Sequence, residues 1–349
     1  MQECEAVSIV MCTYNGEKFL IEQIDSIINQ TYPIYELIIQ DDHSIDNTWD
    51  ILKSYQQRYH FVKIFQNKRF YWREWEFFLG DKTCDRRYIA LSDQDDIWEP
   101  YKIERQIGMI GNKMLSSGFS KPFANGEGIK IHFDQRIPNF NLERVVYVSS
   151  LAGHTMLFKK EFIAMIPDIN IWSPHFMYDH LFQIIAAAYD SISFCDCVLV
   201  HQRRHISAAT YGEPSNYSKT LLNILRMVKQ TYFQYRSLRP FIRSYFSQVY
   251  ELLSSLPKEA IAKDDACLMA LYQSGRSFMS FLRLECICVR LRNKIVYSKE
   301  HNMVFSFLRA LYFPVSCSEY FRYMLNNDWC MELGLFIDRV IGRGEENEY

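Results

Sequence analysis

Strand-like and helix-like segments alternate four times within the first 114 residues of this chain. Strand-like runs, largely apolar, lie at 7–12, 35–40, 62–65 and 88–91. Helical segments are expected after them, at 19–30, 48–59, 70–79 and 100–114. Such alternation predicts an α/β fold in which a parallel sheet carries helices on both faces.

Acidic residues cluster where two of these predicted strands end. Asp41 and Asp42 follow the second strand, while Asp93, Asp95 and Asp96 follow the fourth. Ligands of such sheets bind beyond the carboxyl ends of the strands. Both clusters are therefore expected at the same edge of the sheet.

The rest of the chain is expected to become helical toward its end. Residues 116–130, rich in Ser, Gly, Asn and Pro, are predicted to form a loop. Strands are expected at 145–149, 155–158 and 191–200, and helices at 177–188 and from Asn216 onward. A chain of 349 residues exceeds one average domain. We expect an α/β domain over 1–213, with halves 1–114 and 115–213, and a helical extension over 214–349.

Composition narrows the classes of protein that this chain can belong to. Its net charge of −2 gives no basic field for nucleic acid, and 48% hydrophobic residues can build a core. No stretch approaches the ~18 apolar residues that span a bilayer, and the N-terminus does not read as a signal peptide. The sequence thus predicts a cytoplasmic protein, or one held at a membrane surface. Cys195-x-Cys197 and Cys286-x-Cys288 lack zinc-knuckle spacing and are expected to be reduced, buried thiols.

Three motifs resemble the signatures of family 2 glycosyltransferases. Val7–Gly16 resembles the first strand and turn, Gln30–Asp46 the second signature, and Ala90–Pro100 the metal motif. The third is most similar to bacterial rhamnosyltransferase-like members that build envelope polysaccharides. The resemblance, good over 7–114 and fair to about 210, implies a GT-A fold: a Rossmann-like mixed sheet flanked by helices. It also implies a nucleotide-sugar donor and a divalent metal, Mn²⁺ or Mg²⁺.

The Asp-x-Asp of the third motif is the expected metal site. By the resemblance Asp95 is the direct ligand, Asp93 lies nearer the donor's ribose or sugar, and Asp96 can support either. A cation bridging the diphosphate oxygens would neutralise charge that develops on the leaving group. Alternate residues in extended chain share a side, so Asp93 and Asp95 can face one pocket. An isolated motif of this kind is more often a solvated turn with helix caps.

The second motif is expected to bind the nucleotide base. The resemblance places a carboxylate that accepts the imide N–H of uracil or thymine at Asp42. Thr13, Tyr14 and Asn15 belong to the turn expected to flank the base and bind the nucleotide sugar. The alternatives are ordinary turn chemistry around Asp41 and Asp42 and a core role for Tyr14.

Asp179 is the expected catalytic base. Direct displacement with inversion needs a general base opposite the leaving group, and family members carry an acid at the start of a helix across the acceptor site. A first-turn helix acid is the alternative for Asp179, and His180 is the neighbour most easily confused with it.

Two basic elements remain to be placed. His201–His205 resembles a late family element in which Arg203 would bind the donor phosphate and His205 would complete the metal site. A surface basic cluster is the alternative. His154 follows Gly153 in what resembles an element beside the acceptor pocket, and a hydrogen-bonded core histidine is equally plausible.

One stretch departs from the family. Members usually carry a glycine a few residues after the asparagine that stands here as Asn67, and residues 68–73 contain none. Arg69 or Arg73 would then hold the donor differently. Further on, 219–246 combines six Lys and Arg with no acid at helical spacing, which suggests peripheral contact with an anionic membrane or else a helical cap.

The sequence therefore predicts an inverting, metal-dependent glycosyltransferase. It would move a rhamnose-like sugar, a hexose or an N-acetylhexosamine from a dTDP- or UDP-sugar to a glycan or polyprenyl-linked glycan, for example in lipopolysaccharide or capsule synthesis. The alternatives are a non-catalytic nucleotide-sugar-binding scaffold and a nucleotidyltransferase, for which Thr13–Lys18 has too few glycines.

Overall fold

The computed structural model of the chain contains two compact units. It describes residues 7–66, 87–129, 131–167, 172, 176–205, 221–257, 260, 263–296 and 303–325. The first unit lies within Met1–Ile137, Leu151–Ala186 and Asp190–Ala208, and the second within Pro138–Ser150, Ala187–Tyr189 and Ala209–Tyr349. The helix predicted at 70–79, together with Asn67, Arg69 and Arg73, lies outside the described residues.

The described elements follow one another as strands and helices, then as helices alone. The strands are β1 (Val7–Thr13), β2 (Ile34–Asp41), β3 (Val62–Gln66), β4 (Tyr88–Ser92), β5 (Ile97–Trp98), β6 (Leu115–Ala124), β7 (Leu157–Lys159) and β8 (Ile192–Arg204). The helices are α1 (Leu20–Ile28), α2 (Thr48–Arg58), α3 (Lys102–Ile110), α4 (Leu142–Val145), α5 (Tyr178–Ala188), α6 (Leu221–Ser255), α7 (Lys263–Ser274), α8 (Phe278–Arg290), α9 (Arg292–Ile295) and α10 (Met303–Leu325).

The first unit is built on one mixed sheet of eight described strands, in the order β3-β2-β1-β4-β7-β6-β8-β5. Neighbours among β3, β2, β1 and β4 are parallel. Strand β7 is antiparallel to both β4 and β6, and β5 is antiparallel to β8. This confirms the mixed α/β sheet flanked by helices that the resemblance implied.

The apolar pattern of the first residues explains why these elements form. All of β1 is buried except the half-buried Cys12. On α1 the helical spacing of Leu20, Ile24 and Ile27 directs one apolar face into the core of the first unit. Asp46 lies just before α2, and its carboxylate accepts the backbone N–H of Thr48, so it caps this helix as expected.

Strand β6 corrects the loop predicted at 116–130. Ser116–Gly118 pair in parallel with β8, against the turn-forming preference of these residues. Gly118 permits this because a Cβ there would lie 2.5 Å from the Leu199 side chain. Small residues thus form a buried strand where two chains must approach closely.

The strand predicted at 145–149 is also wrong. Residues Leu142–Val145 form the short helix α4, and the apolar Val146 and Tyr147 are buried after it within the second unit. The strand predicted at 155–158 starts later, because Gly153–Thr155 form a 3₁₀ turn before β7. A short apolar run indicates burial, and Val146 and Tyr147 are buried without pairing as a strand.

The second unit is helical, as expected for the chain from Asn216 onward. The ring of Tyr147 lies 4.5 Å from that of Phe246 on α6 and 4.7 Å from that of Phe313 on α10. Its hydroxyl donates a hydrogen bond to Gln273 on α7, so one residue joins three helices. Among the described helices, none has the length and apolarity required to cross a membrane.

Two glycines provide a test of the packing in the first unit. Gly118→Val is expected to lower the free energy of unfolding by about 1–3 kcal/mol, because the new side chain overlaps Leu199. Gly108→Ala is the control: no atom lies within 4 Å of the Cβ position in α3, and the change should stabilise by about 0.5–1 kcal/mol. Urea unfolding measures both, and equal effects of the two variants would contradict this packing.

Candidate functional site

The carboxyl ends of β1, β2 and β4 lie side by side at one edge of the sheet. Thr13 pairs with Asp41 across β1 and β2, and Met11 pairs with Ser92 across β1 and β4. Adjacent strands are about 4.8 Å apart, so the ends of β2 and β4 are separated by roughly 10 Å. Asp42 and Asp93, which directly follow β2 and β4, are close enough for one ligand to contact both turns.

Asp41 anchors the turn after β2 and is buried, whereas Asp42 is partly exposed. The Asp41 carboxylate is fully buried and accepts hydrogen bonds from the hydroxyls of Thr13 at 3.0 Å and Ser44 at 2.6 Å, and from the Gln66 amide. Asp42 is partly exposed, and its N–H donates to the Thr13 carbonyl at 2.8 Å. Thr13 therefore positions this turn, and its direct contact with a nucleotide stays a prediction.

Asn15 connects the turns after β1 and β2. Its φ of 47° lies in the left-handed region, which asparagine tolerates better than most residues. Its side-chain oxygen accepts the N–H of Ile45, and its own N–H donates to the Ser44 hydroxyl, both at 2.9 Å. The preceding residue, Tyr14, is 37% exposed at the same edge. Asn15 shapes the loop that presents Tyr14.

Gln94 is a functional residue that the motif pattern missed. Its side-chain amide accepts the Tyr14 N–H at 2.9 Å and donates to the Tyr14 carbonyl at 3.0 Å. A Cβ on Gly16 would overlap the end of the Gln94 side chain, so a larger residue there would displace this amide. The pattern Asp-x-Asp treats position 94 as a spacer. The Gln94 amide offers both a donor and an acceptor, whereas the ionised carboxylates beside it only accept. Gln94 joins the acidic turn to the Tyr14 loop.

His154 lies between two acids of the turn after β4. Its Nδ1 is 3.1 Å from Asp93 Oδ2 and 3.5 Å from Asp96 Oδ2, and its Nε2 is 2.8 Å from the Ser120 hydroxyl. Burial alone would lower the pKa of this histidine, but the carboxylates of Asp96 and Asp93 raise it to about 9. When no cation is bound beside them, these acids therefore favour the positively charged form of His154, and binding of a cation would displace its proton.

The same three residues fit a divalent cation. One ligand atom each of Asp93, Asp96 and His154 lies within 4.8 Å of the others. Asp96 Oδ2 is buried without a hydrogen-bond partner, an arrangement that costs free energy and that a cation would relieve. Carboxylate oxygens with an imidazole nitrogen suit Mn²⁺.

The two predicted metal ligands also lie together. His205 Nε2 is 2.9 Å from Asp95 Oδ2, and the His205 ring packs 4.9 Å from Phe19. Burial raises the pKa of Asp95, and the charge of Asp93 raises it further. The structure thus brings Asp93, Asp95 and both histidines to one acidic turn, and the division of ligand roles among them stays a prediction.

Arg203 faces inward and holds the acidic turn. Its backbone N–H donates to Asp96 at 3.0 Å, its Nε donates to the Asp95 carbonyl at 2.9 Å, and its Nη2 binds the Glu22 carboxylate. The guanidinium also lies over the rings of Phe19 and Phe123, at 4.5 and 4.8 Å. These contacts make it a positioning residue, and its predicted contact with the donor phosphate stays a prediction.

Asp179 lies in the first turn of α5, and its pKa is elevated. Burial raises the pKa of its carboxyl to about 6; the charge of Asp93 acts in the same direction and that of His154 acts against it. Asp179 is partly exposed, whereas His180 is 1% exposed, so Asp179 is the better placed of the two to meet a substrate.

Gly153 makes room for the residue before Asp179. A Cβ on Gly153 would lie 2.0 Å from the Tyr178 hydroxyl, so any larger residue would displace the start of α5 or this ring. Burial raises the pKa of Tyr178, and the nearby charges of Asp93 and Asp179 raise it further. Tyr178 therefore lies near both acids, and the packing against Gly153 fixes its hydroxyl.

Comparisons with known proteins bear on the family and on the fold. Residues 8–162 match the family model described as Glycosyl transferase family 2. A solved structure of S. aureus TarS in complex with UDP-GlcNAc superposes with a TM-score of 0.54 at 14% identity, over 90% of this chain and 91% of that one. Residues 8–162 are thus similar to family 2 glycosyltransferases, and the chain has the GT-A fold.

Three curated relatives are similar in sequence to part of this chain. The putative teichuronic acid biosynthesis glycosyltransferase TuaG of Bacillus subtilis is 30% identical over 33% of this chain and 45% of its own length. In Escherichia coli, the O-antigen biosynthesis glycosyltransferase WbnJ is 30% identical over 46% of this chain and 63% of its length. The UDP-Glc:alpha-D-GlcNAc-diphosphoundecaprenol beta-1,3-glucosyltransferase WfgD, also of E. coli, is 35% identical over 35% of this chain and 46% of its own length. The matches span about half of each relative.

Hydrogen exchange tests the role of Gln94 directly. In Gln94→Ala, peptides covering residues 13–18 should exchange about ten-fold faster, because two hydrogen bonds to Tyr14 are lost, each worth about 0.5–1.5 kcal/mol net. Gln94→Glu retains only the acceptor and should be intermediate. Unchanged exchange in Gln94→Ala would show that this amide does not hold the Tyr14 loop.

Proposed function

We propose that the protein is an inverting, metal-dependent glycosyltransferase. It transfers a sugar, rhamnose-like or a hexose or N-acetylhexosamine, from a UDP- or dTDP-sugar to a glycan or lipid-linked glycan in bacterial cell-surface polysaccharide synthesis. The observation that carries the proposal is the pair of hydrogen bonds between Tyr14 and Gln94. They join the loop proposed to bind the base to the turn proposed to bind the diphosphate, at one edge of the sheet.

Asp42 and Tyr14 are proposed to bind the base. The imide N–H of uracil or thymine donates to the Asp42 carboxylate, and cytosine offers no donor at that position. The partly exposed ring of Tyr14 provides an apolar surface for the base. Asp41 is already engaged by Thr13, Ser44 and Gln66, which supports the assignment to Asp42.

The acidic turn is proposed to hold Mn²⁺ or Mg²⁺. Asp95 and His205 are the proposed ligands, and Asp93, Asp96 and His154 form an adjacent set. When bound, the cation neutralises negative charge on the departing diphosphate. Arg203 keeps the backbone of Asp95 and the carboxylate of Asp96 in place for either set.

Asp179 is proposed to act as the general base. Its carboxylate takes the proton from the acceptor hydroxyl as that oxygen bonds to the anomeric carbon, on the face opposite the leaving nucleoside diphosphate. The anomeric configuration then inverts in a single step. With a pKa of about 6, Asp179 is mostly ionised at neutral pH and still basic enough to receive the proton.

The acceptor class is proposed from the relatives. Two act in teichuronic acid or O-antigen biosynthesis, and WfgD glucosylates a GlcNAc carried on diphosphoundecaprenol. A glycan on such a lipid would bring the enzyme to the inner face of the plasma membrane. Residues 219–246 are the segment proposed to meet it there.

The Asp179→Asn variant tests the base. Transfer from UDP-glucose or UDP-GlcNAc to synthetic lipid-linked GlcNAc should fall by about 10²–10⁴-fold, while UDP affinity stays unchanged. In the wild type the rate should fall as pH drops below about 6, because protonated Asp179 cannot accept a proton. Asp196→Asn, a change at an exposed acid on β8, is the matched control. Normal transfer by Asp179→Asn would assign the base elsewhere.

Binding of Mn²⁺ in the presence of UDP tests the proposed metal ligands without measuring turnover. Asp95→Asn should weaken Mn²⁺ binding by at least about ten-fold, measured as free Mn²⁺ by electron paramagnetic resonance. Asp50→Asn, at an exposed acid on α2, should have no effect. If Asp95→Asn binds normally while Asp96→Asn and His154→Ala do not, the assignment to Asp95 is wrong.

A further inference from the structure

One side of α6 exposes cations and aromatic rings together. Lys229, Phe233 and Arg236 recur at i, i+4 and i+7 and are all exposed, and Phe233 keeps 55% of its surface. Residues 216–250 contain no Asp or Glu. The first acid of α6 is Glu251, near the C-terminal end of the helix, so every charged residue of α6 before it is a cation.

The turn between α7 and α8 extends this surface. Burial lowers the pKa of Arg243 on α6, and the charges of Arg239 and Arg276 lower it further, while Tyr235 acts in the opposite direction. The Gln273 amide near the end of α7 donates to the Tyr235 hydroxyl on α6 at 3.0 Å, so the α7–α8 turn with Arg276 lies beside this part of α6. None of these electrostatic partners of Arg243 among the described residues is a carboxylate. Phe278, two residues after Arg276, is 73% exposed.

We propose that this basic-aromatic surface docks on an anionic lipid bilayer. It is defined by Lys229, Phe233, Arg236, Arg239, Arg276 and Phe278. The proposal concerns the second unit alone and does not require the proposed transferase activity, so the two can fail independently. It also adds the α7–α8 turn to the membrane contact that the sequence predicted only within 219–246.

Charge complementarity indicates which partner binds the basic-aromatic surface. Grouping like charges costs free energy that phosphate headgroups offset, and each guanidinium can bind a phosphate through two parallel hydrogen bonds. Exposed Phe side chains gain free energy when they enter the boundary between headgroups and acyl chains. A second copy of the chain meeting this surface symmetrically would place cations against cations. The net charge of −2 gives the protein no basic field that would favour nucleic acid as the partner.

Vesicle co-sedimentation of the full chain tests the proposal. The wild type should pellet with vesicles of phosphatidylglycerol in phosphatidylcholine far better than with phosphatidylcholine alone, and binding should weaken with added salt. The combined variant Lys229→Gln, Arg236→Gln, Arg239→Gln should bind about 100-fold more weakly, since each cation contributes about five-fold. Phe278→Ser should reduce binding about ten-fold without changing the dependence on salt.

A matched variant in the first unit controls for net charge. Lys53→Gln with Arg58→Gln removes two exposed cations from α2 and should leave vesicle binding unchanged. The proposal is overturned if the wild type does not bind anionic vesicles, or if the α2 variant loses as much binding per cation. It is equally overturned if the α6 variant changes only self-association or RNA binding.

Discussion

The placement of β1 between β2 and β4 is the constraint on which the first unit depends. Parallel pairing on both sides fixes the register, so the residues that follow three buried strands emerge at one edge. The apolar side chains of β1 are withdrawn from water and drive this arrangement, whereas the polar residues beyond its end have no place in the core. The candidate site is a consequence of where the buried strands stop.

Electrostatic compensation allows the acidic turn to exist at that edge. Asp93, Asp95 and Asp96 within four residues would repel one another strongly if left alone. The positive charges of His154 and of the inward-facing Arg203 offset this charge, and His205 forms a hydrogen bond with Asp95. The compensation is incomplete, since one oxygen of Asp96 remains without a hydrogen-bond partner. A divalent cation bound at this turn would complete the compensation of charge.

Much of this could be predicted from the sequence, and the exceptions share a cause. Largely apolar runs of strand length predicted β1, β2 and β4, because their burial needs no information from distant residues. Strand β6 could not be found that way: Ser116–Gly118 have poor strand preference and pair only because β8 lies alongside. The inward orientation of Arg203 could not be predicted from the sequence either, since it depends on Glu22 and Phe123 from remote parts of the chain. Gln94 was missed because its bonds reach eighty residues back along the chain.

The central claim is that one nucleoside diphosphate contacts the ends of β2 and β4 together. A crystal structure of the protein with UDP and Mn²⁺ tests it most directly. The account predicts the uracil beside Asp42 and Tyr14, with the diphosphate and the cation at the turn that contains Asp95. A nucleotide bound at another edge of the sheet, or one whose base and diphosphate lie away from these two turns, would contradict it.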